Sequence, residues 1–133
     1  MDRLRSPLGR AIGLGSAKEG VEHWWAQRVT AVALILLGLW FAASLVAMVG
    51  ADRAVVLAWL HAPVPAILAI LLLIAVFYHG ALGLQVVIED YVAAEGLKIA
   101  ALVTMRLVSF GLAVAGIFAV LRIAFAAGCL VRV

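Results

Sequence analysis

The sequence predicts an all-α membrane protein with three transmembrane helices, and three observations carry that prediction. Of its 133 residues 68% are hydrophobic, with a mean hydropathy of +1.23, well beyond the apolar half expected of a soluble domain. Three apolar runs, at about 28–49, 65–90 and 99–125, are each long enough to cross a bilayer, which takes about 20 residues of helix. The runs are continuous rather than alternating, which excludes a membrane barrel. Connections between them are short, so residues 1–133 read as a single membrane domain with no soluble catalytic unit.

The N-terminal segment, 1–27, holds Arg3, Arg5, Arg10 and Lys18 and reads as cytoplasmic, ending in an amphipathic approach to the first helix. It lacks the apolar run and cleavage site of a secretory signal, and Asp2, Glu19 and Glu22 speak against a mitochondrial presequence. In Glu22-His23-Trp24-Trp25-Ala26-Gln27-Arg28 the indoles suit the headgroup level. Arg28 is either a snorkelling anchor or a guanidinium fork turned to an anion.

With Lys98 and Arg106 on the same side as this segment, seven basic residues face three (Arg53, Arg122 and Arg132). The positive-inside rule then puts the N-terminus in the cytoplasm and the C-terminus outside. Topology accounts for the net charge of +3 better than nucleic-acid binding does, because the basic residues sit in tails and helix ends. A single cysteine, Cys129, rules out an intrachain disulfide and a thiolate metal site.

Gly50 to Val64 reads as a loop in which Pro63 and Pro65 supply rigidity and a helix start. His61 falls at its outer surface, and no chemistry is assigned to it.

The second helix carries the informative residues. At 100° per residue Leu72, Ala75, Val76, His79, Gly83, Val86 and Asp90 fall within about 60° of one direction. Ionisable groups are expensive inside a bilayer, so His79 has a function by default. Gly80 and Gly83 leave room beside it, either for close helix packing or for a flat cofactor. A neutral imidazole in an apolar pocket suits axial ligation of haem iron. No second histidine lies at that depth, since His23 and His61 are at opposite boundaries, so another axial ligand would come from another subunit or copy.

Asp90 lies eleven residues on, about 16 Å along the axis, and with Tyr91 it marks the cytoplasmic boundary. An acid beside a phenol at that mouth suits a polar headgroup or a proton relay, whereas Glu89 and Glu95 read as solvated. In the third helix Arg106 is within reach of the inner headgroups by snorkelling, and Gly111 and Gly116 suit packing.

Two motifs, His23-Trp24-Trp25-Ala26-Gln27-Arg28-Val29-Thr30-Ala31-Val32 and His79 followed by Asp90-Tyr91, make most of the chain resemble the hydrophobic membrane anchor (D) subunits of alphaproteobacterial succinate dehydrogenase, respiratory complex II. The resemblance implies a bacterial inner-membrane anchor serving the tricarboxylic acid cycle and respiratory chain. It implies that His79 ligates the iron of a haem b shared with a cytochrome b556 subunit. Tyr91 would hydrogen-bond a ubiquinone carbonyl and Asp90 would support that site. Arg28 would lie near the haem propionates or the quinone pocket, with His23 a weaker candidate for the same contact. Flavoprotein and iron–sulfur subunits would oxidise succinate, for which this chain has neither dinucleotide fingerprint nor cysteine cluster. A small multidrug-type transporter without haem is the competing class, opposed by the absence of any acid deep in a helix. A purely structural anchor is opposed by His79.

Overall fold

The computed structural model describes residues 17–126, which form four helices: α1 (Ala17–Ala47), α2 (Arg53–His61), α3 (Pro63–Tyr91) and α4 (Glu95–Ala126). No strand occurs among the described residues. The first sixteen residues, Cys129 and Arg132 lie outside them. The three long helices are apolar enough to cross a membrane, so the predicted all-α, three-span architecture is present. The 29 residues of α3 would extend about 44 Å at 1.5 Å per residue, against a hydrocarbon core of about 30 Å. A helix of that length can reach the headgroup layer at both ends, a level that suits Trp24 and Trp25 near the start of α1 and Tyr91 at the end of α3.

Two boundaries differ from the sequence reading. The helix that crosses first begins at Ala17, and Glu22 to Arg28 form its early turns with no break at residue 27. Gly50 to Val64 contains α2 rather than an open loop. Asp52 stands extended at its N-cap (φ −65°, ψ 154°), and its carbonyl accepts from the Val55 and Val56 amides at 3.0 and 3.4 Å. The helix stops at Ala62, also extended (φ −66°, ψ 135°), because the Pro63 ring disfavours helical geometry in the residue before it. Pro63 then opens α3, where its missing N–H costs nothing. The turn from α1 to α2 uses Gly50 at φ +80°, a left-handed conformation open to glycine at little cost. Trp59 of α2 stacks on Trp40 of α1 with centroids 5.6 Å apart and planes 23° apart, pinning the short helix to the first span.

The helix α3 is the central element: α1 and α4 each pack along it, and α2 packs against α3 and α4. Among the described residues the only buried hydrophobic side chains are Ala66, Ala75 and Met105. Large apolar groups such as Leu36, Leu39, Val46 and Phe110 instead point outward. With a lipid solvent there is no hydrophobic penalty for that exposure, and close packing with polar links must hold the helices together. Gly116 is one such close approach, since a Cβ there would stand 3.2 Å from Leu73 Cδ1, whereas a Cβ at Gly111 would meet nothing within 4 Å.

These two glycines should separate under mutation. Gly111→Ala is expected to leave the thermal midpoint of the detergent-solubilised protein unchanged or slightly raised, by up to about 1 kcal/mol of helix propensity. Gly116→Val is expected to lower it, at a cost of about 1–3 kcal/mol for overpacking.

Candidate functional site

His79 sits on the side of α3 that faces α1. It is half-buried, and its Nδ1 lies 2.9 Å from the hydroxyl of Thr30, a residue 49 positions earlier. Four residues further along α3, the Cβ position of Gly83 is 3.7 Å from Gln27 Nε2. The pairings of 30 with 79 and 27 with 83 establish that α1 and α3 run antiparallel in a simple register. His23, Gln27 and Thr30 recur at spacings of four and three, so they share one stripe of α1. The predicted small-sided face around His79 is therefore the contact with α1. Glycine at 83 admits the Gln27 side chain there, while Gly80 has open space around it.

This stripe is polar and only partly satisfied. Among the described residues His23 Nε2 and Gln27 Oε1 are buried without a hydrogen-bond partner. A buried polar atom left unpaired costs about 1–3 kcal/mol, so these two would gain from any polar group brought to the stripe. His79 Nε2 is different: it makes no hydrogen bond among the described residues, yet it is not one of the enclosed orphan atoms.

Arg28 and His23 face different ways on α1. Arg28 is exposed and lies over the Trp24 ring, 5.4 Å from its centroid, about 200° around α1 from Thr30. Such a cation–π pair suits a headgroup anchor. His23, the weaker candidate, is the one on the stripe with Thr30.

Asp90 and Tyr91 end α3 as expected, eleven and twelve residues beyond His79. Both are exposed, Tyr91 at 84% of its maximum, and neither makes a side-chain hydrogen bond among the described residues. By the α1–α3 register they stand at the end where α1 begins. Glu89, expected in a loop, is helical and accepts from Gln85 Nε2 at 2.8 Å, while Arg106 of α4 donates to Gln85 Oε1 at 2.9 Å. Sequence reading missed Gln85 as the link, although its position four before Glu89 was a visible signal. Arg106 is thus tied to α3 rather than free to snorkel.

The groove containing Gln85 and Arg106, about 490 Å³, runs between α3 and α4 past Phe77, Tyr78 and Phe110 and excludes His79. At the opposite end His61 is half-buried, not at an open surface, with Nδ1 buried and unpartnered among the described residues beside a groove that also takes in Arg53 and Arg122.

The family model for the succinate dehydrogenase/fumarate reductase transmembrane subunit matches residues 2–121. The chain belongs to that family. It is 36% identical over 117 residues to the succinate dehydrogenase hydrophobic membrane anchor subunit of Rickettsia bellii, covering 88% of this chain and 94% of that one. The corresponding subunit of Paracoccus denitrificans is 32% identical over 125 residues, covering 94% and 96%. No solved structure matches. The alphaproteobacterial resemblance is thereby shown, and the family's role as a succinate dehydrogenase membrane anchor, embedded through several spans and assembled with other subunits of that enzyme, replaces the transporter reading.

The α1–α3 contact can be tested at Gly83. Gly83→Ala is expected to be accepted, since its Cβ meets Gln27 at ordinary contact distance. Gly83→Leu should force Gln27 aside and destabilise the pair by about 1–3 kcal/mol, measured as a lower thermal midpoint of the purified protein.

Proposed function

We propose that this anchor binds haem b and forms part of the ubiquinone-reduction site of succinate:ubiquinone oxidoreductase. The observation that carries the haem reading is His79, an intramembrane imidazole held through Nδ1 by Thr30 at 2.9 Å, with Nε2 free of any hydrogen bond among the described residues. A metal-bound histidine usually has its other ring nitrogen oriented by such a contact. The donor chemistry fits haem: one neutral nitrogen ligand, apolar surroundings and open space beside Gly80. It does not fit a protein-only metal centre, since no group of three or more metal-ligating side chains occurs among the described residues.

In this reading His79 would hold the haem iron, and a cytochrome b556 subunit would supply the remainder of the pocket. When bound, the haem supplies a one-electron redox centre. His23, whose buried Nε2 lacks a partner, and Arg28, at the same end of α1, are the groups of this chain available to propionates or to the quinone pocket. Tyr91 donates a phenolic hydrogen bond to a ubiquinone carbonyl, and Asp90 beside it supplies negative charge and a proton route. Their exposure at the helix end supports a site that other subunits complete. Reduction of ubiquinone takes up two electrons and two protons, so a donor where oxygen gains charge assists it.

The flavoprotein and iron–sulfur subunits carry succinate oxidation and dock on the cytoplasmic side of the bacterial inner membrane. The excess of basic residues near Arg28, Lys98 and Arg106 supports that orientation, with the C-terminus periplasmic.

His79→Ala in the assembled complex is expected to abolish the b-type band in a reduced-minus-oxidised spectrum, and retention of full haem would remove the ligand assignment. Tyr91→Phe and Asp90→Asn should each reduce succinate–ubiquinone turnover about 10-fold or more, with succinate oxidation by an artificial acceptor unchanged. Wild-type turnover in both would leave the pair as interfacial residues only.

A further inference from the structure

Thr30 has a second set of contacts that bears on His79. Its hydroxyl lies 2.7 Å from the Ala26 carbonyl and 3.2 Å from the Gln27 carbonyl, both as donor. A hydroxyl has one proton and two lone pairs. The carbonyls of α1 can only accept, so that proton is committed to the helix backbone, the shorter contact to Ala26 being the better one. The Thr30 oxygen is then left with lone pairs alone to offer His79, and the ring nitrogen facing it must be the one that carries hydrogen. Nδ1–H donates to Thr30, Thr30 O–H donates to Ala26, and the neutral imidazole keeps its free lone pair on Nε2.

We propose that Thr30 is a positioning residue that sets the tautomer and electron density of the His79 ring through this one-way chain. The inference rests on the reading of His79 as the haem ligand. An imidazole whose Nδ1–H is hydrogen-bonded is a stronger donor through Nε2, which favours the ferric over the ferrous state. The chain also begins in the backbone of α1, so it orients the ring relative to that helix and not only to α3. Threonine suits the role because its branched Cβ restricts χ1, while its hydroxyl returns to the preceding turn.

The test uses the assembled complex in membranes with Thr30→Val, which keeps the shape and removes the hydroxyl, and Thr30→Ser, which restores the hydroxyl. Redox titration of Thr30→Val is expected to give a more positive haem midpoint with haem content retained. A fivefold change in the ferric-to-ferrous ratio corresponds to about 40 mV, at about 59 mV per tenfold for one electron. Its low-spin paramagnetic resonance signal should shift, and Thr30→Ser should return both towards wild type. A Thr30→Val midpoint and signal identical to wild type, in a complex where His79→Ala has lost its haem, would overturn the role of Thr30 and leave the ligand assignment standing.

Nitrogen-15 resonance of the labelled histidine reads the chain without relying on haem. Nδ1 protonated and hydrogen-bonded in wild type, with that signature altered in Thr30→Val, supports the inference even if His79→Ala retains haem and the ligand assignment fails. The same spectrum in both overturns it. Should Thr30→Val not assemble, the wild-type spectrum decides: an Nδ1 without a hydrogen-bonded proton refutes the chain.

Discussion

Among the described residues, the Thr30–His79 hydrogen bond is the one side-chain polar link between α1 and α3, and the geometry of the site follows from it. In lipid no water competes for either group, and separating them would leave an imidazole and a hydroxyl facing an apolar surround. Such links in membranes average well under about 1–2 kcal/mol, so the bond's value lies less in energy than in register. Sliding α1 along α3 by one turn would break it and would also lift Gln27 from the space at Gly83. On the other side of α3 the Arg106–Gln85–Glu89 chain performs the same task against α4. The central helix is thus held by one polar tie on each flank, while large apolar side chains face outward.

That division would let one helix serve the two proposed sites. His79 is tied to α1 through Thr30, which suits the fixed ring orientation a ligand needs. Asp90 and Tyr91, about 16 Å further on, are exposed at the end of α3 and make no side-chain hydrogen bond among the described residues. In the proposed reading, twelve residues separate a position that excludes water from one that meets protons. A single helix of 29 residues would supply both environments because it is longer than the hydrocarbon layer is thick.

The three spans were legible in the sequence because length and apolarity define a membrane helix, and His79 drew notice as a lone imidazole inside one. The short helix α2 was not legible. Asp52, Arg53, His61 and two prolines read as loop residues, yet Asp52 and Ala62 only bracket a helix whose Val56, Leu57 and Leu60 turn inward. Arg28 looked the stronger functional residue than His23 because charge is easier to notice than angular position. The structure turns it outward over Trp24. Thr30 gave no signal of its own, since a threonine bonded to its own helix is ordinary and its partner lies 49 residues away. The antiparallel register of α1 and α3 was needed before that pair existed.

The remaining unpaired atoms bear on how the chain functions with other subunits. His23 Nε2 and Gln27 Oε1 lie on the same stripe as Thr30, at about 10 and 5 Å from its level along α1. A chain meant to be complete would not retain two buried polar groups that each cost about 1–3 kcal/mol unpaired, when a leucine at either position would cost nothing in lipid. Their retention is economical if assembly supplies partners, because the same groups then contribute to binding and to its specificity. An apolar stripe would attach to any apolar helix, whereas a polar one rewards only a neighbour with matching donors and acceptors. In the proposed reading, the stripe that meets His79 through Thr30 is therefore also suited to selecting a partner subunit.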